Sequence, residues 1–77
     1  LDIHIGNLAP ATSLIDLRGR FEVFGAVTDI EISTYMVGNR LRSFGFIEMP
    51  SNDHGKAAID GLQGSELAGN RLSIKEE

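Results

Sequence analysis

Ile3 and Ile5 alternate with Asp2 and His4, the period-two pattern of a strand with one buried face, and Gly6-Asn7 predicts its end. After Pro10, Thr12 or Ser13 is placed to cap a helix that carries Leu14, Leu17, Phe21 and Phe24 on one face, with Gly25 positioned to stop it. Gly19 weakens the middle of that helix by about 1 kcal/mol relative to alanine. The period of two returns over Val27 to Ser33, where Ile30 and Ile32 alternate with Asp29, Glu31 and Ser33. Thr34 to Leu41 contains the turn pair Gly38-Asn39 and predicts a hairpin loop. Arg42 to Met49 predicts a third strand, stopped by Pro50. Ser51 or Asn52 then caps a second helix, with Ala58, Ile59 and Leu62 on its buried side and Gly64 past its end. Leu72 and Ile74 alternate with Ser73 and Lys75 in a last strand.

The predicted order is β-α-β-β-α-β, two right-handed crossover units in succession. Combined, they give an α+β fold: a four-stranded antiparallel sheet with both helices on one face and the other face open to solvent.

The third strand is the most informative segment. With Ser43, Gly45, Ile47 and Met49 toward the helices, Arg42, Phe44, Phe46 and Glu48 share the open face. The opposite facing would bury Arg42 and Glu48 and expose Ile47. Two phenylalanines on a solvated face forgo burial worth about 1.5–3 kcal/mol each, so their placement needs a reason. Burying Ile3 and Ile5 brings His4 to the same face. Three flat π-surfaces beside an arginine form a platform for unpaired bases, which stack at about 1–3 kcal/mol per base.

Arg42-Ser43-Phe44-Gly45-Phe46-Ile47-Glu48-Met49 resembles the eight-residue ribonucleoprotein signature of the RNA-recognition motif, and Ile3-His4-Ile5-Gly6-Asn7-Leu8 resembles its six-residue partner. Phe21, Phe24-Gly25, and Ala57-Ala58-Ile59 through Leu62 and Gly64 fit the same family. The resemblance covers essentially the whole chain, so residues 1–77 read as one RNA-recognition motif domain with a ferredoxin-like sandwich. Ile47-Glu48-Met49-Pro50 and Gly64-Ser65-Glu66-Leu67 are most similar to small single-domain bacterial and cyanobacterial members. The resemblance implies a cytoplasmic, monomeric binder of single-stranded RNA, with no membrane, metal or cofactor. It implies that His4 and Phe46 each stack on a base, that Phe44 inserts against the sugars between them, and that Arg42 pairs with a phosphate through its fork of donors. Arg40 and Lys75 are placed to add positive charge near the open face. Tyr35, in the apolar stretch Tyr35-Met36-Val37, either adds a further stack beside the RNA or folds back on the sheet or against a second molecule. Departures from the family pattern stand out at five positions. His4 replaces the usual Phe or Tyr, Ser43 replaces Gly and Met49 replaces an aromatic residue, while Asp29 and Glu31 occupy open-face positions where basic residues are common.

Charge changes this picture. Seven Lys and Arg stand against eleven Asp and Glu, a net charge of −4, which argues against a nonspecific nucleic-acid coat but leaves room for a stacking reader with few phosphate contacts. The same charge keeps a rival open: a protein-interaction module of this fold that takes a peptide or partner domain. The Arg-x-Phe element of the family's peptide-binding subgroup is missing, because Leu72 and Ser73 follow Arg71. With 42% apolar and 23% charged residues the chain is too apolar for disorder. It has no cysteine for a disulfide or thiolate metal site, and no apolar run near the roughly 18 residues of a membrane span. Leu1-Asp2-Ile3-His4 is too short and polar for a signal peptide, and Leu1 in place of Met is expected of a piece of something longer. Gly61-Leu62-Gln63-Gly64 imitates a Gly-x-x-Gly loop but ends a helix, Gly55-Lys56 lacks the upstream glycine of a P-loop, and Asp53-His54 has no second ligand or nucleophile. No catalytic site is expected, although acylphosphatase shares the order of elements.

Overall fold

A computed structural model describes residues 1–77. Its elements are β1 (Asp2–Leu8), α1 (Leu14–Glu22), β2 (Asp29–Val37), β3 (Arg40–Glu48), α2 (Asn52–Leu62), β4 (Glu66–Leu67), β5 (Asn70–Arg71) and β6 (Ser73–Glu76). β1, β2, β3 and β6 form one antiparallel sheet in the order β2-β3-β1-β6, while β4 and β5 pair as a separate small hairpin. That hairpin escapes the sequence pattern. Its turn carries Ala68 and Gly69, both at positive φ, in place of the usual Asn-Gly.

The core lies between the sheet and the helices. Leu17 and Phe21 of α1 and Ala58 and Leu62 of α2 are buried together with Ile3, Ile5, Ile47, Met49 and Ile74 from the sheet. Ser13 and Ser51, rather than Thr12 and Asn52, cap the helices: their hydroxyls accept from the backbone N–H of Asp16 at 3.1 Å and of His54 at 3.2 Å. The predicted α1 face holds at Leu17 and Phe21, whereas Leu14 is half exposed and Phe24 lies beyond the helix end. Gly25 does not terminate α1, which ends at Glu22. Its lack of a side chain serves packing instead, since a Cβ there would sit 2.2 Å from His54 Nδ1.

Two further expectations are corrected where the strands meet their turns. Gly6-Asn7 does not end β1. It forms a bulge: Ile5 pairs with Gly45 but Leu8 with Ser43, so β1 spends one residue more than β3, and Asn7 takes φ 60° to absorb it. Thr34 to Leu41 is not a loop. β2 and β3 stay paired without a break from Asp29↔Glu48 to Val37↔Arg40, leaving only Gly38-Asn39 as the turn, with Gly38 at φ 61° in the first central position. Because β1 pairs with β3 only as far as Ser43, the last turns of β2 and β3 project past the sheet as a two-stranded arm.

The outer side of the last strand is occupied. The Leu72 N–H donates to the Ser65 carbonyl at 2.8 Å, and its carbonyl accepts from the Gly64 N–H at 3.2 Å. The Gln63 side chain continues this pairing: its Oε1 accepts from the Ile74 N–H at 2.9 Å and its Nε2 donates to the Ile74 carbonyl.

Candidate functional site

Register fixes which side chains reach the face opposite the helices. Ser43, Gly45, Ile47 and Met49 are buried on the helix side, so Arg40, Arg42, Phe44, Phe46 and Glu48 lie on the open side. Their cross-strand partners go with them: Val37, Tyr35, Ser33, Glu31 and Asp29 on β2, and His4 and Asp2 on β1. Lys75 joins from β6, opposite His4. The inward substitutions are absorbed by packing. Ser43 is buried with its hydroxyl 2.9 Å from that of Thr34, and Met49 is fully buried.

The rings make a continuous row. His4 and Phe44 stack with centroids 5.8 Å apart and planes 21° from parallel, and Tyr35 meets Phe44 edge-on at 5.7 Å and 63°. Phe44 remains 37% exposed at the centre of this row, which leaves its face available to a ligand. Phe46 is half-buried one pair further along β3, flanked by Glu31 and His4. Tyr35 thus lies on a strand rather than in a loop, with its edge packed on Phe44 of the sheet. It lengthens the aromatic surface from the arm.

Charge on this face is segregated along the strands. Asp2, Asp29, Glu31 and Glu48 gather at one end, where Asp29 and Asp2 both pair with Glu48. Arg40 and Arg42 lie at the other end, on the arm. The chain's one ion pair is Arg18–Glu22 on α1, at 3.7 Å, so Arg40, Arg42 and Lys75 are free of acidic partners. A polyanion on this face is therefore repelled at the Glu48 end and attracted at the arm. The net charge of −4 hides this division.

Beside the ring row, between the arm and the bulged end of β1, lies a cleft of about 550 Å³. Tyr35, Phe44 and His4 belong to its wall, along with Leu41, Pro10, Asn7 and Asn70, and Arg42 is the only Lys, Arg, Asp or Glu along it. Leu41, Asn7 and Asn70 were not singled out by sequence reasoning. The one signal for them was the interruption of alternation at Gly6-Asn7, which marks the bulge. No three His, Asp or Glu residues gather to hold a metal, and no helix is long and apolar enough to cross a membrane.

Residues 3–73 match the family described as the RNA recognition motif. The chain is 36% identical over 76 residues to RbpE, a candidate RNA-binding protein of Nostoc sp., covering 99% of this chain and 77% of that one. The crystal structure of RNA-binding protein PG1 superimposes with a TM-score of 0.87 at 35% identity, covering 100% of this chain and 93% of that one. The second RRM domain of the yeast poly(U)-binding protein Pub1 gives a TM-score of 0.79 at 27% identity, over 96% of this chain and 89% of that one.

Proposed function

The chain belongs to the RNA recognition motif family, and from that premise we propose that residues 1–77 act as one domain that binds single-stranded RNA on the open face of its sheet. The observation that carries this reading is the solvent-facing row Tyr35–Phe44–His4, three rings in contact on a surface that no part of the chain covers. Bases stack on such rings without regard to sequence, at about 1–3 kcal/mol each.

In this reading His4 and Phe46 each carry a base, Phe44 packs against the sugars between them, and Tyr35 supports a further base toward the arm. Arg42 and Arg40 take phosphates at the arm, where no carboxylate competes, and Lys75 takes one beside His4. The module works as a cytoplasmic monomer, by binding alone, with neither a catalytic group nor a cofactor.

Titration of the chain with a random-sequence pool of RNA hexamers, followed by amide NMR, tests this directly. Shifts centred on β1, β3 and the arm are expected. Shifts confined to the helices, or none at all, would transfer the open face to a protein partner.

A further inference from the structure

We infer that the cleft between the arm and the bulged end of β1 is a nucleotide subsite, which takes one base of an RNA strand already held on the ring row. The inference rests on the RNA-binding reading. Three observations carry it.

The first is continuity. Tyr35, Phe44 and His4 are at once the ring row and one wall of the cleft, so a strand stacked on the rings leads into it with no barrier between.

The second is a set of polar groups left without partners along the cleft. Thr28 donates to the Glu48 carbonyl at 3.0 Å, whereas Met49 exchanges both backbone bonds with Leu1, at 2.9 and 2.6 Å. Backbone groups of alternate β3 residues therefore point to β2 and to β1 in turn. Ser43 and Leu41 belong to the set that points to β1, and β1 pairing ends at Ser43. The N–H and carbonyl of Leu41 thus face the cleft, a donor beside an acceptor. Across from them, Asn70 Nδ2 donates to the Asn7 carbonyl at 3.2 Å and Asn7 Nδ2 donates to the Arg71 carbonyl at 2.8 Å. Those bonds fix both amides and leave their Oδ1 atoms as free acceptors. Unstacked bases are read along edges that carry donors and acceptors side by side, which is what Leu41 and Asn70 complement.

The third is charge. Arg42 is the only Lys, Arg, Asp or Glu along the cleft, and the carboxylates of Asp2, Asp29, Glu31 and Glu48 lie at the far end of the sheet. Repulsion there displaces the RNA toward the arm, and Arg42 neutralises the phosphate of the nucleotide that enters. Pro10 and Leu41 add apolar surface to the cleft.

The same hexamer titration decides the matter through two groups off the ring row, the Leu41 backbone amide and the Asn70 side-chain amide. Both should shift with the same midpoint as His4 and Phe44. Asn70→Ala should weaken hexamer binding about 3- to 10-fold, the effect of one hydrogen bond, while moving amides only around the Asn7 bulge, whose carbonyl loses the Asn70 donor. Shifts at His4 and Phe44 with Leu41 and Asn70 unmoved would overturn the subsite and leave RNA binding standing. Unchanged affinity in Asn70→Ala would overturn it too. No shift at any of the four would overturn both readings.

Discussion

His4 pairs across the strands with Phe46, yet its imidazole lies over Phe44, 5.8 Å away and 21° from parallel. Tyr35 repeats this diagonal: it pairs with Arg42 and packs its ring on Phe44. Diagonal neighbours on a twisted sheet are within reach of aromatic side chains, so Phe44 becomes the hub of the surface and Phe46 its outlier.

Phe44→Ala should therefore weaken RNA binding by about 1–3 kcal/mol, since it removes the hub and frees His4 and Tyr35 from their contacts. The ring is exposed, so the fold should persist. Binding isotherms paired with thermal denaturation of the same variant read both effects, and a collapse of the fold at unchanged affinity would contradict the facing of β3.

Glu31→Gln should tighten binding by about two- to fivefold, the scale of one exposed charge. Glu31 pairs with Phe46, and in the proposed binding mode its carboxylate repels the phosphates of the nucleotide that Phe46 carries. Affinities of the two proteins at low ionic strength make the comparison. Weaker binding by Glu31→Gln would mean that the carboxylate contacts the RNA as an acceptor.

Salt dependence should be shallow. Arg40, Arg42 and Lys75 are the cations on the open face, and Arg71, next to Asn70 of the cleft, is counted as a fourth, whereas Arg18 is tied to Glu22 on α1. At about −0.7 per phosphate, four contacts limit the slope of log K against log salt to about −2.8. A steeper slope across a salt series would place the binding surface elsewhere.

Gly25→Ala should cost about 1–3 kcal/mol of stability, measured by urea denaturation. The new methyl would meet His54 not only at Nδ1 but at Cβ, 2.8 Å away, so rotating the imidazole gives no relief and α2 must move. A loss near zero would show that α2 shifts freely against the end of α1.

The order of the elements and the facing of β3 could be read from the sequence because burial imposes strict alternation: Ile3, Ile5, Ile47 and Ile74 admit one register each. The arm could not, because alternation is a signature of one wet face, whereas Tyr35, Met36 and Val37 are apolar in succession and, like Leu41 on the facing strand, exposed. Hydrogen bonding between β2 and β3 holds that segment as strand where hydrophobic pattern is silent. The rings of the site were visible as side chains. The cleft was not, since it is built from a bulge, a backbone edge and an asparagine pair brought together over more than sixty residues of chain.

The pairing of Gln63, Gly64 and Ser65 along the last strand makes the two margins of the sheet unlike each other. A neighbouring strand can add only where backbone groups are unspoken for, and Leu72 and Ile74 have none to offer, whereas β2 does. A sheet with one live margin can join a single neighbour and stops there, whereas a sheet with two can grow without limit. The Gln63 side chain and the backbone of Gly64 and Ser65 together thus close this margin to a further strand, and a protein that must keep an aromatic face bare in water has use for that stop.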